Sequence, residues 1–92
     1  WFECFSDQEI LKAQKLLADH EGIFCEPASA TSVAGAMQDL KSGKIPEGST
    51  VVCTLTGNGL KDPDTAIAQC RVAPEAVPAQ LESVKRTILD RL

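Results

Sequence analysis

Apolar positions along this chain follow two periods, a helical spacing of three to four through most of it and one short, nearly continuous run. In "SDQEILKAQKLLADHEG", Ile10, Ala13, Leu16 and Leu17 share one side of a helix. Ser6 followed three residues later by Glu9 makes a capping box at its start, and Gly22 supplies its C-cap. His20 and Glu21 fall in the last turn, where a histidine faces solvent or the helix dipole, so His20 is assigned no chemistry.

"IFCEPASATSVAGAMQDLKSG" opens with a short apolar segment, and Pro27 then sets up a second helix. Its first positions are almost all small, from Ala28 to Ser32 and again from Ala34 to Ala36, while Val33, Met37 and Leu40 supply a larger apolar stripe. Two readings stay open: a helix laid tight against a sheet, or a Ser- and Thr-rich amino terminus facing an anionic ligand.

After the Pro46-Glu47-Gly48 turn comes "STVVCTLTG", where Val51, Val52, Cys53 and Leu55 with Thr50 and Thr54 form the continuous run. Such a run predicts a strand buried on both faces, as in a parallel sheet covered by helices. A glycine turn, a short helix from about Asp64 and a final helix carrying Leu81, Val84, Ile88 and Leu92 follow. The fold class is therefore α/β and helix-rich, with one central strand and short edge strands at "FECF" and "IFCE". A two-sided strand needs neighbours on both edges, and these short segments are poor ones. The 92 residues are then either a small, unusual α/β domain or, as we expect, one end of a larger protein whose sheet they complete; Trp1 in place of an initiator Met agrees with this. No internal domain boundary is expected between residues 1 and 92.

Composition adds mostly exclusions. The 43% apolar and 24% charged shares are those of a folded domain, and this length supports one modest core. Nine basic against 13 acidic residues, with no basic stripe, argue against a nucleic-acid partner. No apolar run approaches the roughly 20 residues that cross a bilayer, and the acidic start is unlike a signal peptide, so no membrane partner and a cytoplasmic location are expected. Cys4, Cys25, Cys53 and Cys70 show no CxxC and no nearby histidine pair, which speaks against a zinc ribbon or a thioredoxin-like site. Cys25 and Cys53 sit in apolar segments and read as buried free thiols, although a disulfide framework is possible on count alone.

The "TGNGLKD" turn has the right location for a site, because ligands of open α/β folds bind beyond the carboxyl ends of parallel strands. Its pattern is neither GxGxxG nor a P-loop. Left-handed backbone at Asn58 and Gly59 is one reading and a phosphate cradle the other. Lys61 beside the turn is either a Schiff-base candidate or a surface charge. Asp62 and Asp64, separated by Pro63, are more simply a helix start than a carboxylate pair.

Together, "DHEGIFCEPASATSVAG" and "LTGNGLKDPD" resemble the carboxyl-terminal part of the threonine synthase family, and the preceding helix extends the likeness to roughly residues 6 to 64. The resemblance implies a fold type II, three-layer α/β enzyme dependent on pyridoxal 5'-phosphate. Such an enzyme is a homodimer that acts as a carbon-oxygen lyase and converts O-phospho-L-homoserine and water to L-threonine and phosphate. It also implies that Thr56, just before the Gly-x-Gly turn, sets its hydroxyl against the pyridine nitrogen of the cofactor, and that Glu26 borders it. The family's Schiff-base lysine and glycine-rich phosphate loop lie upstream of the matched segments, Lys61 is not that lysine, and the chain alone is expected to be inactive. The alternatives are a fold type II serine or threonine dehydratase and a non-catalytic α/β interaction module.

Overall fold

A computed structural model of the chain describes residues 2–70 and 75–92; Trp1 and half of the "RVAPEAVP" stretch lie outside the described residues. The first helix, α1, spans Asp7–Glu21 and starts where the capping box predicts. The Ser6 N–H donates to Glu9 Oε2 at 2.8 Å, and the Ser6 hydroxyl oxygen accepts from the Glu9 N–H at 3.4 Å. The Ser6 N–H and the Ser6 hydroxyl, which donates to the same Glu9 Oε2 at 2.7 Å, hold the Glu9 carboxyl below the usual carboxylate range. Gly22 ends α1 at φ 67°, a left-handed conformation that a Cβ would oppose.

The second helix, α2, spans Pro27–Ser42, with Pro27 in its first turn and Gly43 at φ 80° beyond its end. A single 3-10 turn, Gly59–Lys61, leads into α3, Pro63–Gln69, and α4 covers Leu81–Leu89. Asp62 caps α3 by accepting from the Thr65 N–H at 3.2 Å and the Thr65 hydroxyl at 2.6 Å. The closely spaced carboxylates are thus a helix start, because Asp62 is spent on the cap.

The core lies between α1 and α2. Ala13 and Leu17 meet Ala30 and Ala34, Cys25 closes one end, and Phe5, Ile10, Val33 and Leu55 pack around the rim. Alanines on both surfaces let the two helix axes approach closely, which is what the small-residue stripe of α2 provides. A Cβ at Gly35 would come within 3.2 Å of the Phe5 ring, so that glycine is part of the same fit. The partner of α2 is thus α1 rather than a sheet. The larger stripe is turned elsewhere, with Met37 and Leu40 both exposed. Burial of Cys25 holds its thiol above the usual thiol range, while Cys4 and Cys70 are exposed, Cys53 is half-buried, and all four are free.

One buried polar side chain crosses this core. The Gln14 amide donates to the Cys25 C=O at 2.7 Å, and its oxygen accepts from the Gln69 amide at 3.0 Å, so one residue of α1 ties down both the 23–26 segment and α3.

The expected strands do not form. Among the described residues the only β pairing is a single antiparallel bridge between Cys25 and Asn58. A strand exists through its ladder partners, and among the described residues the 50–56 run has no neighbouring strand. It lies along α2 instead, where the Ser32 hydroxyl reaches the Thr54 C=O at 3.4 Å. Burial on both faces fails as well, since Val52 is 87% exposed. "FECF" is likewise no strand: Glu3 pairs with Lys44, which also lies 3.4 Å from Asp39.

The result is an open molecule. Its radius of gyration is 17.4 Å, whereas a compact chain of this length has about 12 Å. Its accessible surface is 7327 Å², against about 5,200 Å² for a compact monomer of the same mass. Val51, Val52, Leu60, Leu81, Ile88 and Leu92 are among the apolar side chains left exposed.

Produced by itself, the chain is expected to self-associate or to unfold at low urea, because apolar faces and the 50–56 backbone lack cover. Sedimentation velocity and a urea titration check this; a monomer with a sharp, high-urea transition contradicts it. In the complete gene product, Gln14→Ala leaves the buried Cys25 C=O unpaired and should cost about 1–3 kcal/mol, read as a lower urea midpoint.

Candidate functional site

Two backbone segments meet around the Cys25–Asn58 bridge. The Glu26 N–H donates to the Gly57 C=O at 2.9 Å, and the Gly59 N–H donates to the Phe24 C=O at 3.0 Å. This exchange lays the glycine turn across the residues that enter α2. Asn58 then starts the 3-10 turn, its side-chain oxygen accepting from the Leu60 N–H at 2.9 Å.

The glycines of this turn are not there for left-handed backbone. Positive φ occurs among the described residues only at Gly22, Gly43 and Gly48, and Asn58 sits at φ −82°, ψ 144°. Crowding is the actual reason. A Cβ at Gly57 would overlap the Glu26 carboxylate and come within 2.9 Å of the Glu26 Cβ, and one at Gly59 would meet the Phe24 ring at 2.5 Å. The turn is glycine-rich so that two neighbouring side chains can lie directly on its backbone.

Thr56 precedes this turn and is exposed. Its hydroxyl lies 3.1 Å from the hydroxyl of Ser29, a residue of the first turn of α2 whose side chain is buried, with 4% of the residue accessible. Ser29 also accepts from the Gly57 N–H at 2.6 Å. Glu26, at the N-cap position of α2, makes no side-chain cap bond; its carboxylate covers Gly57 and lies 3.7 Å from the Lys61 ammonium. Lys61 is 65% exposed along its side chain, so the pair is a solvated surface contact. His20 is exposed in the last turn of α1. The structure therefore brings together Thr56, Ser29, Gly57 and Glu26. Sequence patterning did not single out Ser29, which entered only as one of the Ser and Thr residues at the amino terminus of α2.

Residues 2–57 match the family model of the pyridoxal-phosphate dependent enzymes. The chain belongs to this family. It is also similar to threonine synthases: 56% identical over 73 residues to that of Halalkalibacterium halodurans, covering 79% of this chain and 21% of the relative. The threonine synthase of Synechocystis is 58% identical over 66 residues, 72% of this chain and 17% of the relative. That of Methanocaldococcus jannaschii is 46% identical over 86 residues, 94% of this chain and 21% of the relative. The chain spans about a fifth of the length of these relatives. Likeness over 86 of 92 residues also runs past Asp64, further than the two motifs alone indicated.

Pyridoxal phosphate is the cofactor of this family, and the groups beside the turn are hydroxyls and a carboxylate of a kind that can hydrogen-bond to it. Thr56 carries an exposed hydroxyl with one side-chain partner among the described residues, which leaves it further hydrogen-bonding capacity. Ser29, Glu26, Thr56 and Gly57 all fall within the family match, while Lys61 and α3 lie beyond it.

If the glycines serve close approach, Gly59→Ala should destabilise the complete protein by about 1–3 kcal/mol through displacement of the Phe24 ring. The same substitution in a Phe24→Ala background should cost much less. Urea denaturation of the two single variants and the double variant measures both costs, and equal costs in the two backgrounds contradict the crowding argument.

Proposed function

We propose that this chain is the carboxyl-terminal part of the catalytic α/β fold of a threonine synthase, without a domain boundary of its own. The observation that carries this reading is identity of 46–58% to threonine synthases from three distant organisms over most of the chain. The reaction is conversion of O-phospho-L-homoserine and water to L-threonine and phosphate, a carbon-oxygen lyase chemistry of fold type II. The complete enzyme is a cytoplasmic homodimer. Among the described residues no helix is long and apolar enough to cross a membrane.

Pyridoxal phosphate supplies the electron sink for this chemistry when bound. In this reading Thr56 binds its pyridine nitrogen. A hydroxyl is neutral and cannot hold a proton on that nitrogen as a carboxylate would, so Thr56 orients the ring while leaving it a moderate electron sink. Gly57 and Gly59 let Glu26 and Phe24 press on the turn, which fixes the backbone that carries the Thr56 side chain. Glu26 borders the same edge. The lysine and the phosphate loop that complete the site are supplied from outside these 92 residues. The chain by itself is then one wall of a site and inactive, and Lys61 has no catalytic part.

The edges left bare here support the same reading. The 50–56 run lacks ladder partners among the described residues and its valines are exposed, as for a strand whose sheet is built from other residues.

Thr56→Val in the complete enzyme should shift the absorption of bound cofactor and lower threonine formation from O-phospho-L-homoserine by on the order of tenfold or more. Unchanged absorption and rate overturn the role of Thr56. Product analysis tests the reaction itself: threonine with free phosphate supports the reading, and a 2-oxo acid indicates a dehydratase instead.

A further inference from the structure

The geometry points to Ser29 as a positioning residue: it donates its proton to Thr56 and so leaves the Thr56 proton directed outward, to an acceptor on the bound ligand. This rests on the reading of Thr56 as the partner of the cofactor's ring nitrogen and adds the residue that sets which way that hydroxyl points.

A serine hydroxyl has one proton and two lone pairs. Ser29 is buried, so water does not satisfy it, and three groups surround its oxygen: the Gly57 N–H at 2.6 Å, the Thr56 hydroxyl at 3.1 Å and the Gly57 C=O at 3.5 Å. The Gly57 N–H can only donate, so it takes one lone pair. The Ser29 proton then has two destinations. The Gly57 C=O is the longer contact, beyond good hydrogen-bond range, and already accepts from the Glu26 N–H at 2.9 Å. Thr56 is nearer and otherwise without a side-chain donor among the described residues. The proton goes to Thr56 and occupies one of its lone pairs.

This assignment fixes the other hydroxyl. Were Thr56 to donate to Ser29, the buried Ser29 proton would be left to the 3.5 Å contact, a costly arrangement in a dry site. With Ser29 donating, the Thr56 proton is free on the exposed side. Thr56 then meets a ligand as a donor, the polarity required to recognise an unprotonated ring nitrogen. The first two turns of α2 also hold the backbone on both sides of Thr56, through Ser32 to the Thr54 C=O at 3.4 Å and through Ser29 to the Gly57 N–H. Orientation and placement of the hydroxyl therefore come from the same helix end.

The test compares Ser29→Ala, Thr56→Val and the double variant in the complete enzyme. Two readouts are used: the pH titration of the bound cofactor's absorption, and amide hydrogen exchange at Gly57 in the protein stripped of cofactor. Both single variants should move the spectral midpoint in the same direction, Ser29→Ala the less. The double variant should match Thr56→Val alone, because Ser29 acts through Thr56. Exchange at Gly57 should quicken at least tenfold in Ser29→Ala and change little in Thr56→Val. If Thr56→Val shifts the spectrum and Ser29→Ala does not, the positioning role is overturned while the reading of Thr56 stands. If Thr56→Val has no effect, that reading fails, and the positioning role with it. Additive shifts in the double variant overturn the role in favour of a general disturbance. Should Ser29→Ala not fold, Ser29→Cys keeps the side-chain shape with a weak donor; the same shift, smaller, supports the role, and no shift overturns it.

Discussion

The Glu26 N–H to Gly57 C=O bond at 2.9 Å and the Gly59 N–H to Phe24 C=O bond at 3.0 Å join residues more than thirty positions apart, and the site depends on them. They register the turn against the entrance of α2 to within one residue. A slip by one would carry Gly57 away from the Glu26 side chain and put Asn58, which has a Cβ, beneath it. The glycines and the register thus require each other. Gln14 braces the pairing from the core side by holding the Cys25 C=O, which lies between the two bonds. A lost brace there would leave a buried carbonyl unpaired, so the pairing and the α1–α2 core stand or fall together.

Packing explains why this joint is stiff although the molecule around it is open. Alanines at 13, 30 and 34 bring α1 and α2 close, and that close pair carries Ser29 and Glu26 at one end as a rigid edge. The rest of the chain has few such ties. The 50–56 run rests on α2 mainly through Ser29 and Ser32, and α4 shows its apolar residues Leu81, Ile88 and Leu89 to solvent. Precision is concentrated where the hydroxyl of Thr56 is set, and bare apolar surface where the fold expects covering.

Much of this was legible in the sequence, for a physical reason that also marks the limit. The helix from Asp7, its Ser6–Glu9 capping box, the Gly22 and Gly43 ends, and the Pro27 and Pro63 starts are all decided by residues within one or two turns of each other. Thr56 was picked out through a resemblance to threonine synthases, and the family match and the 46–58% identities agree with that resemblance. The strand expected at 50–56 does not form among the described residues, because β-branched residues report a preference while a ladder requires a neighbour. Asn58 and Gly59 were misread in a different way: glycine tolerates both positive φ and close approach, and a sequence does not distinguish these uses.

By itself, then, the sequence determined the helices, most of their starts and caps, and the family, since periodicity, caps and motif identity are local properties; the last helix, expected to carry Leu92, ends at Leu89. Tertiary structure alone decided that α2 packs on α1, that Glu26 and Phe24 rather than backbone strain account for the two glycines, and that Ser29 meets Thr56 across 27 positions. Each of these turns on the distance between groups far apart in the chain. No spacing rule encodes such a distance, and it exists only once the α1–α2 core and the Cys25–Asn58 pairing have formed.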